Sequence, residues 1–429
     1  MTEPAPKLER VLGLGHVTAS GVGIIIGAGI YVLIGPATAM AGPRVWMAFL
    51  LAALLSALTG LAYAELASMF PSAGAEFEYT SQAFPAWVAF LVGWVMVAGL
   101  VVAAAAVTLG FGRYLHYLVG LHPTLGAYLL LALITTIALS GIRRSSWITV
   151  TLSVVQVGGL LAVVLIGLPH LGRVNLLAGR GAGSTSVISA AALVFFAFIG
   201  FDEVITLAEE TVNPRRNVPK ALFLALGISS LLYAAVSIAA VSVLGSSKLG
   251  SSHQPLADVF AHAAGGIGGP ALAVVALMAT ANTSLLCLTA ASRLTYGMAS
   301  RDALPSRLAV VSRRNHVPRL AILLLAGVAA LAVGIGNLEL VASVTDFAVY
   351  LVFIAVDVTV VVLRFKSPAA PRPFKVPGSI ARVPVLPVLG LAAVGLVVPR
   401  LEVKAIVVGL GVCTLGMLVF WLRRRRVRT

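Results

Sequence analysis

Apolar residues in this chain neither alternate nor keep to one helical stripe. They come in long runs joined by short polar connectors. Taken in order the runs give twelve spans, at approximately 12–40, 45–69, 84–111, 124–141, 147–168, 187–209, 221–244, 268–292, 320–336, 340–363, 383–399 and 404–422. A helix needs roughly 20 apolar residues to cross a bilayer, so the pattern predicts an all-α integral membrane protein with twelve transmembrane helices. The first run is unusual. It carries no formal charge between Arg10 and Arg44, and its centre reads Gly21-Val22-Gly23-Ile24-Ile25-Ile26-Gly27-Ala28-Gly29-Ile30. Glycine inside a helix is less favourable than alanine by about 1 kcal/mol. Unwound backbone at membrane depth survives only where protein or a water-lined cavity satisfies its polar groups. The stretch reads as a helix broken at mid-membrane, with a small-residue packing face as the alternative.

The sixth run decides between them. Phe195-Phe196-Ala197-Phe198-Ile199-Gly200-Phe201-Asp202-Glu203 places a glycine and two carboxylates in apolar sequence, and Val204 to Ala208 continues apolar beyond them. Acids at that depth are costly and are usually functional or paired. Interrupted segments at corresponding positions of two halves point to a transporter binding site. Residues 12–168 and 187–365 then form two repeats of five helices. Five is odd, so the second repeat is inverted. Residues 383–422 add two further helices, flanked by residues 1–11 and a basic tail at 423–429.

Composition and charge narrow the class. Charged residues make up 10% of the chain and hydrophobic ones 59%, far from a soluble protein. The first run is also too long for the apolar core of a cleavable signal. The net charge of +15 invites a nucleic-acid reading that its distribution removes. With a cytoplasmic N-terminus, 23 of the 30 Lys and Arg residues fall on the inner side. The positive-inside rule therefore predicts both termini in the cytoplasm of a multi-pass plasma-membrane protein, and the tail from Arg423 faces anionic lipid. Two cysteines, Cys287 and Cys413, both in apolar sequence, make neither a disulfide framework nor a metal cluster, and no cofactor is expected. The seven histidines sit at span ends or in loops, without a nucleophile–base or metal constellation for a membrane enzyme. The acids form no repeated ring of the kind that selects ions in a channel.

Further polar residues are candidates for coupling or gating. Glu65 closes the second span, and Arg293, at the end of the eighth, is a possible partner. Gln156 lies deep in the fifth span, where an amide normally bonds to a neighbouring helix. Asn282-Thr283-Ser284 faces a cavity or bonds back to its own helix. Asp346 and Asp357 lie eleven residues apart, within about 20° of one helical face. Asp357 is well inside the tenth span and fits a protonatable or paired role, whereas Asp346 is expected near water at the outer end.

Several strings resemble the amino acid–polyamine–organocation (APC) superfamily, nearest its cationic-amino-acid-transporter-like bacterial and archaeal branch. They are Ile26-Gly27-Ala28-Gly29-Ile30-Tyr31, then Glu65-Leu66 with Pro71 and Gly74-Ala75-Glu76, and the run Phe195 to Glu203 followed by Ala208-Glu209-Glu210-Thr211 and Asn213-Pro214-Arg215. Ser292-Arg293, Tyr296-Gly297-Met298-Ala299, Arg301-Asp302 and Leu304-Pro305 complete the series. The resemblance implies a LeuT-type 5+5 inverted repeat with helices 1 and 6 broken, and amino acid transport by alternating access. It implies that backbone N–H groups of Gly27, Ala28 and Gly29 bind the substrate carboxylate. Carbonyls around Ile25, Phe196 and Ile199, with Gly200 and Asp202 beside them, would take the ammonium, and Phe196 would gate the site. Two departures bear on mechanism. Gln156 stands where proton-coupled relatives carry lysine, and Gly99 where many cationic-substrate relatives carry glutamate. The expectation is a carrier of neutral amino acids, coupled to protons through an acid such as Asp202, Glu203 or Asp357, or else an exchanger or facilitator. The alternative is a carrier of cationic amino acids or polyamines.

Overall fold

The computed structural model describes residues 12–70, 75–178, 184–206, 211–265, 268–312, 315 and 317–428. The first apolar run is two helices, α1 (Leu14–Ile25) and α2 (Gly29–Ala41), separated by Ile26–Ala28. A 3-10 turn leads into α3 (Val45–Met69), and the short α4 (Ala75–Ala83) precedes α5 (Ala86–Val119), α6 (Pro123–Ser140) and α7 (Ile142–Gly167). The sixth run is again interrupted. It forms α8 (Ser184–Val194), a 3-10 turn at Phe195–Phe198 and, after a turn at Gly200, the single-turn α9 (Glu203–Thr206). Then come α10 (Pro214–Ser251), α11 (Pro255–Ala264), α12 (Gly268–Ser300), α13 (Arg319–Val333) and α14 (Leu338–Lys366). A two-stranded hairpin, β1 (Ser379–Ile380) with β2 (Val383–Pro384), leads to α15 (Val385–Val397) and α16 (Val403–Arg428).

The termini of these helices follow from local chemistry. Pro85 precedes α5 in extended conformation, and Gly120 ends that helix with φ +70°, a left-handed position that glycine takes without strain. Asn337 caps α14 by accepting the Leu340 N–H at 2.9 Å. α10 runs well past its apolar span at both ends. Pro214 starts it at a position where a missing N–H costs nothing, and Gly245, with φ +72°, kinks it near the far end.

Among the described residues, eight helical stretches are long and apolar enough to cross a membrane, one of them covering α2 and α3 together, and four shorter apolar helices accompany them. α5 lies at the centre, against α12, α14 and α6, while α10 packs along α3, α1 and α2. Leu129 and Leu133 on α6, Leu331 on α13, Leu396 on α15 and Leu415 and Trp421 on α16 are exposed. Leucine at that density on the outside is what a hydrocarbon solvent accepts and water does not.

Candidate functional site

The two interruptions face one another at the middle of the bundle. Gly29, the first residue of α2, touches Ala197 so closely that a Cβ there would fall on the Ala197 backbone. Gly200 turns with φ +107° and lies over Ile24 of α1. Ile25, Ile26, Ala28 and Ile30 on one side, with Phe195, Phe196, Ala197 and Phe201 on the other, are buried. The sequence-derived candidates Ile25, Gly27, Ala28, Gly29, Phe196, Ile199, Gly200 and Asp202 are therefore brought together.

Breaking a helix frees carbonyls at its upstream end and amides at its downstream end. In the first break these groups are met by side chains from three other helices. The Gln156 amide of α7 donates to the Gly23 carbonyl at 2.9 Å, and the Ser153 hydroxyl reaches the same oxygen at 3.4 Å. The Tyr233 hydroxyl of α10 lies 2.7 Å from the Ile25 carbonyl and 3.0 Å from the Ala197 carbonyl, so its single proton is within reach of both breaks. The Thr283 hydroxyl of α12 accepts the Ala28 N–H at 2.9 Å. Tyr31, on α2, donates to the Gln156 carbonyl at 2.6 Å, and Tyr114 donates to the Tyr31 carbonyl at 2.6 Å. The second break is held mainly by its own chain. The Ile199 N–H reaches the Phe196 carbonyl at 3.3 Å, and the Asp202 carboxylate accepts the Gly200 N–H at 3.2 Å.

Amides and carbonyls of two facing half-helices can receive the carboxylate and ammonium of a zwitterion. The profile of the family described as "Amino acid permease" matches residues 12–422. The chain belongs to the amino acid permease family. It is 28% identical to the branched-chain amino acid permease BcaP of Bacillus subtilis (strain 168) over 446 residues, 99% of this chain and 95% of that one. It is 30% identical to the methylthioribose transporter of the same organism over 407 residues, 89% of this chain and 86% of that one. It is 29% identical to the vacuolar cationic amino acid transporter 2 of Arabidopsis thaliana over 388 residues, 84% of this chain and 61% of the other. The protein is thus a multi-pass membrane transporter rather than an enzyme.

The remaining candidates of this permease lie around the breaks. Asp202 is also hydrogen-bonded to the Glu76 carboxyl of α4, which accepts the Tyr63 hydroxyl at 3.0 Å. Asp357 is wedged between α3, α14 and α15. Thr59 donates to it at 3.1 Å, and Gly390 makes room, since a Cβ there would lie 2.9 Å from the carboxylate. The side chain of Glu203 lies outside the described residues, as do Glu209 and Glu210.

Three expectations need correction. Glu65 does not pair with Arg293, which is exposed on α12. It receives Arg364 of α14 through two bonds of 2.8 and 2.6 Å, Arg372 at 3.2 Å and the Val376 N–H at 2.8 Å. The connector after α14 folds back over the end of α3 and delivers Arg372 and the Val376 N–H, the Phe374 N–H bonding to Ser68 at 3.1 Å. Asp346 does not meet water. It is fully buried, and neither carboxylate oxygen has a hydrogen-bond partner among the described residues. Gly99 faces Ala348 of α14, with a Cβ position 3.1 Å away, because α5 packs along α14 there. An acid at that position would point at α14.

Sequence reasoning missed Tyr233 and left Thr283 undecided. The signal for the first was available. A tyrosine in the middle of an apolar span must find a partner for its hydroxyl.

Proposed function

We propose that this permease is a secondary carrier of neutral amino acids that works by alternating access. On this reading it spans the plasma membrane twelve times, with both termini in the cytoplasm and residues 12–168 and 187–365 as inverted repeats. The observation that carries the proposal is the facing of the two breaks. In this reading Gly27, Ala28 and Gly29, leading into α2, give their N–H groups to a carboxylate and the Ile25 carbonyl at the end of α1 takes an ammonium, the 2.7 Å bond between the Gly27 N–H and that carbonyl opening as cargo arrives. The carbonyls of Phe196 and Ile199 complete the ammonium site, with Phe196 above it. Helix starts favour anions and helix ends favour cations, so a zwitterion is matched at both poles.

The neutral side chain is supported by the prior engagement of Asp202 with Gly200 and Glu76. Similarity to a branched-chain amino acid permease points the same way. A cationic side chain is the second reading, favoured by similarity to the Arabidopsis cationic transporter. Protons couple through Asp202 or Asp357 if transport is driven.

Thermal unfolding of the purified protein against the twenty amino acids and several polyamines tests this directly. A ligand present at about 100 times its Kd stabilises by about 2.7 kcal/mol. Stabilisation by leucine, valine or alanine is the expected result. Stabilisation confined to arginine, lysine or polyamines replaces the neutral reading with the cationic one.

A further inference from the structure

The polar ends of the first break are met by two side chains whose chemistry mirrors that of a bound amino acid. Thr283 supplies an acceptor to the Ala28 N–H, the role assigned above to the substrate carboxylate. Tyr233 supplies a side-chain donor to the Ile25 carbonyl, beside the Gly27 N–H at 2.7 Å, the role assigned to the substrate ammonium. The same hydroxyl reaches the Ala197 carbonyl in the opposite break, beside the Gly29–Ala197 contact that closes the two breaks on each other. Tyr233 is fully buried, and the ring is fixed by Phe49 at 5.6 Å and Phe198 at 5.2 Å, so its hydroxyl is held in place rather than swinging.

A carrier changes sides through a closed state, and a closed state with orphaned amides and carbonyls is penalised in hydrocarbon. Where only a substrate can satisfy those groups, the carrier crosses loaded and is confined to exchange. We propose that Thr283 and Tyr233 act as internal stand-ins for the substrate's carboxylate and ammonium, so that the carrier closes and returns without cargo. The inference rests on the substrate placement proposed above. It assigns the protein to net transport, as uniporter or symporter, and excludes obligatory exchange. Both are positioning residues in this scheme, acting on the backbone of the break rather than on the cargo.

The experiment compares two modes of flux in proteoliposomes loaded with radiolabelled leucine or alanine. One is efflux into substrate-free buffer, the other efflux into the same amino acid at equal concentration. The unaltered protein is expected to show both, at rates within a few-fold of each other. In Thr283→Val, which leaves the Ala28 N–H without its acceptor, efflux into substrate-free buffer should fall about tenfold relative to exchange, and in Tyr233→Phe, where the Gly27 N–H still reaches the Ile25 carbonyl, it should fall by less. Thr283→Ser, which keeps the hydroxyl, should restore the ratio. A general loss of stability lowers both modes together and leaves the ratio unmoved, so the ratio separates this role from a merely structural one. Exchange without net efflux in the unaltered protein overturns the inference, as does an unchanged ratio in both Thr283→Val and Tyr233→Phe. Absence of leucine and alanine flux in either mode instead overturns the neutral-substrate reading, and the inference with it.

Discussion

The two breaks look alike in sequence and are held in different ways. The α1–α2 break is three residues long, and its loose ends are caught by Gln156, Ser153, Tyr233 and Thr283 from α7, α10 and α12. The α8–α9 break is longer and largely holds itself, through the 3-10 turn at Phe195–Phe198, the positive φ of Gly200 and the Asp202 side chain two residues on. Rearranging the first break therefore requires side chains of three other helices to let go, whereas the second has fewer outside ties, chiefly Tyr233 at Ala197 and Glu76 at Asp202. The first is a joint fixed mainly from outside, with one backbone bond of its own from the Gly27 N–H to the Ile25 carbonyl, and the second a joint built mainly from its own chain.

Substitutions can break or sharpen that contrast. The largest effect is expected where the breaks touch. A side chain at Gly29 would collide with Ala197 backbone that has nowhere to go, so Gly29→Val should abolish uptake and lower the melting temperature, at or beyond the roughly 1–3 kcal/mol typical of overpacking. Next is Gly200→Ala, which forces a Cβ onto a φ of +107° and towards Ile24. A loss of about 1–3 kcal/mol is expected, measurable by thermal unfolding without any ligand. Gln156→Leu removes the stronger of two donors to the Gly23 carbonyl. Interhelical bonds of this kind contribute about 0.6 and at most about 1.7 kcal/mol, so a small drop in melting temperature is expected. The smallest effect should come from Asp202→Asn, which keeps an acceptor for the Gly200 N–H, against about 1 kcal/mol for Asp202→Ala. Near-additivity between Gly200→Ala and Gln156→Leu would support two independently held joints. Strong coupling between them would show that the breaks behave as one.

The same contrast explains what was legible in the sequence. The second break announced itself because Gly200 and Asp202 are neighbours, and a glycine beside an acid in apolar sequence has a local reason. The first break was legible as a break, from its glycines, but its partners were not. Gln156 and Thr283 lie 133 and 255 residues from the groups they bond, and no periodicity encodes such a pairing. The apolar runs located the long helices, because hydropathy is a property of each segment alone. The failures were all pairings across the chain. Position at one end of the bundle pairs Glu65 with Arg293, whereas Arg364 reaches it from α14 and Arg372 by a fold in the proline-rich connector beyond. Asp346 was placed near water from its position along α14, which ignores what packs beside it.

The pairing of Glu65 with Arg364 also sets a timetable for the protein's birth. Glu65 is separated from Arg364 by 299 residues, and a ribosome adding roughly 5–20 residues per second needs on the order of 15–60 s to cover that distance. Through that interval the second span waits in or near the membrane with its terminal carboxylate unclaimed by the arginines that later bury it. The first repeat cannot reach its final packing until α14 and the chain beyond it have been made. A ribosome that stalls between α13 and α14 leaves the helices from α1 to α13 made and Glu65 still without either arginine.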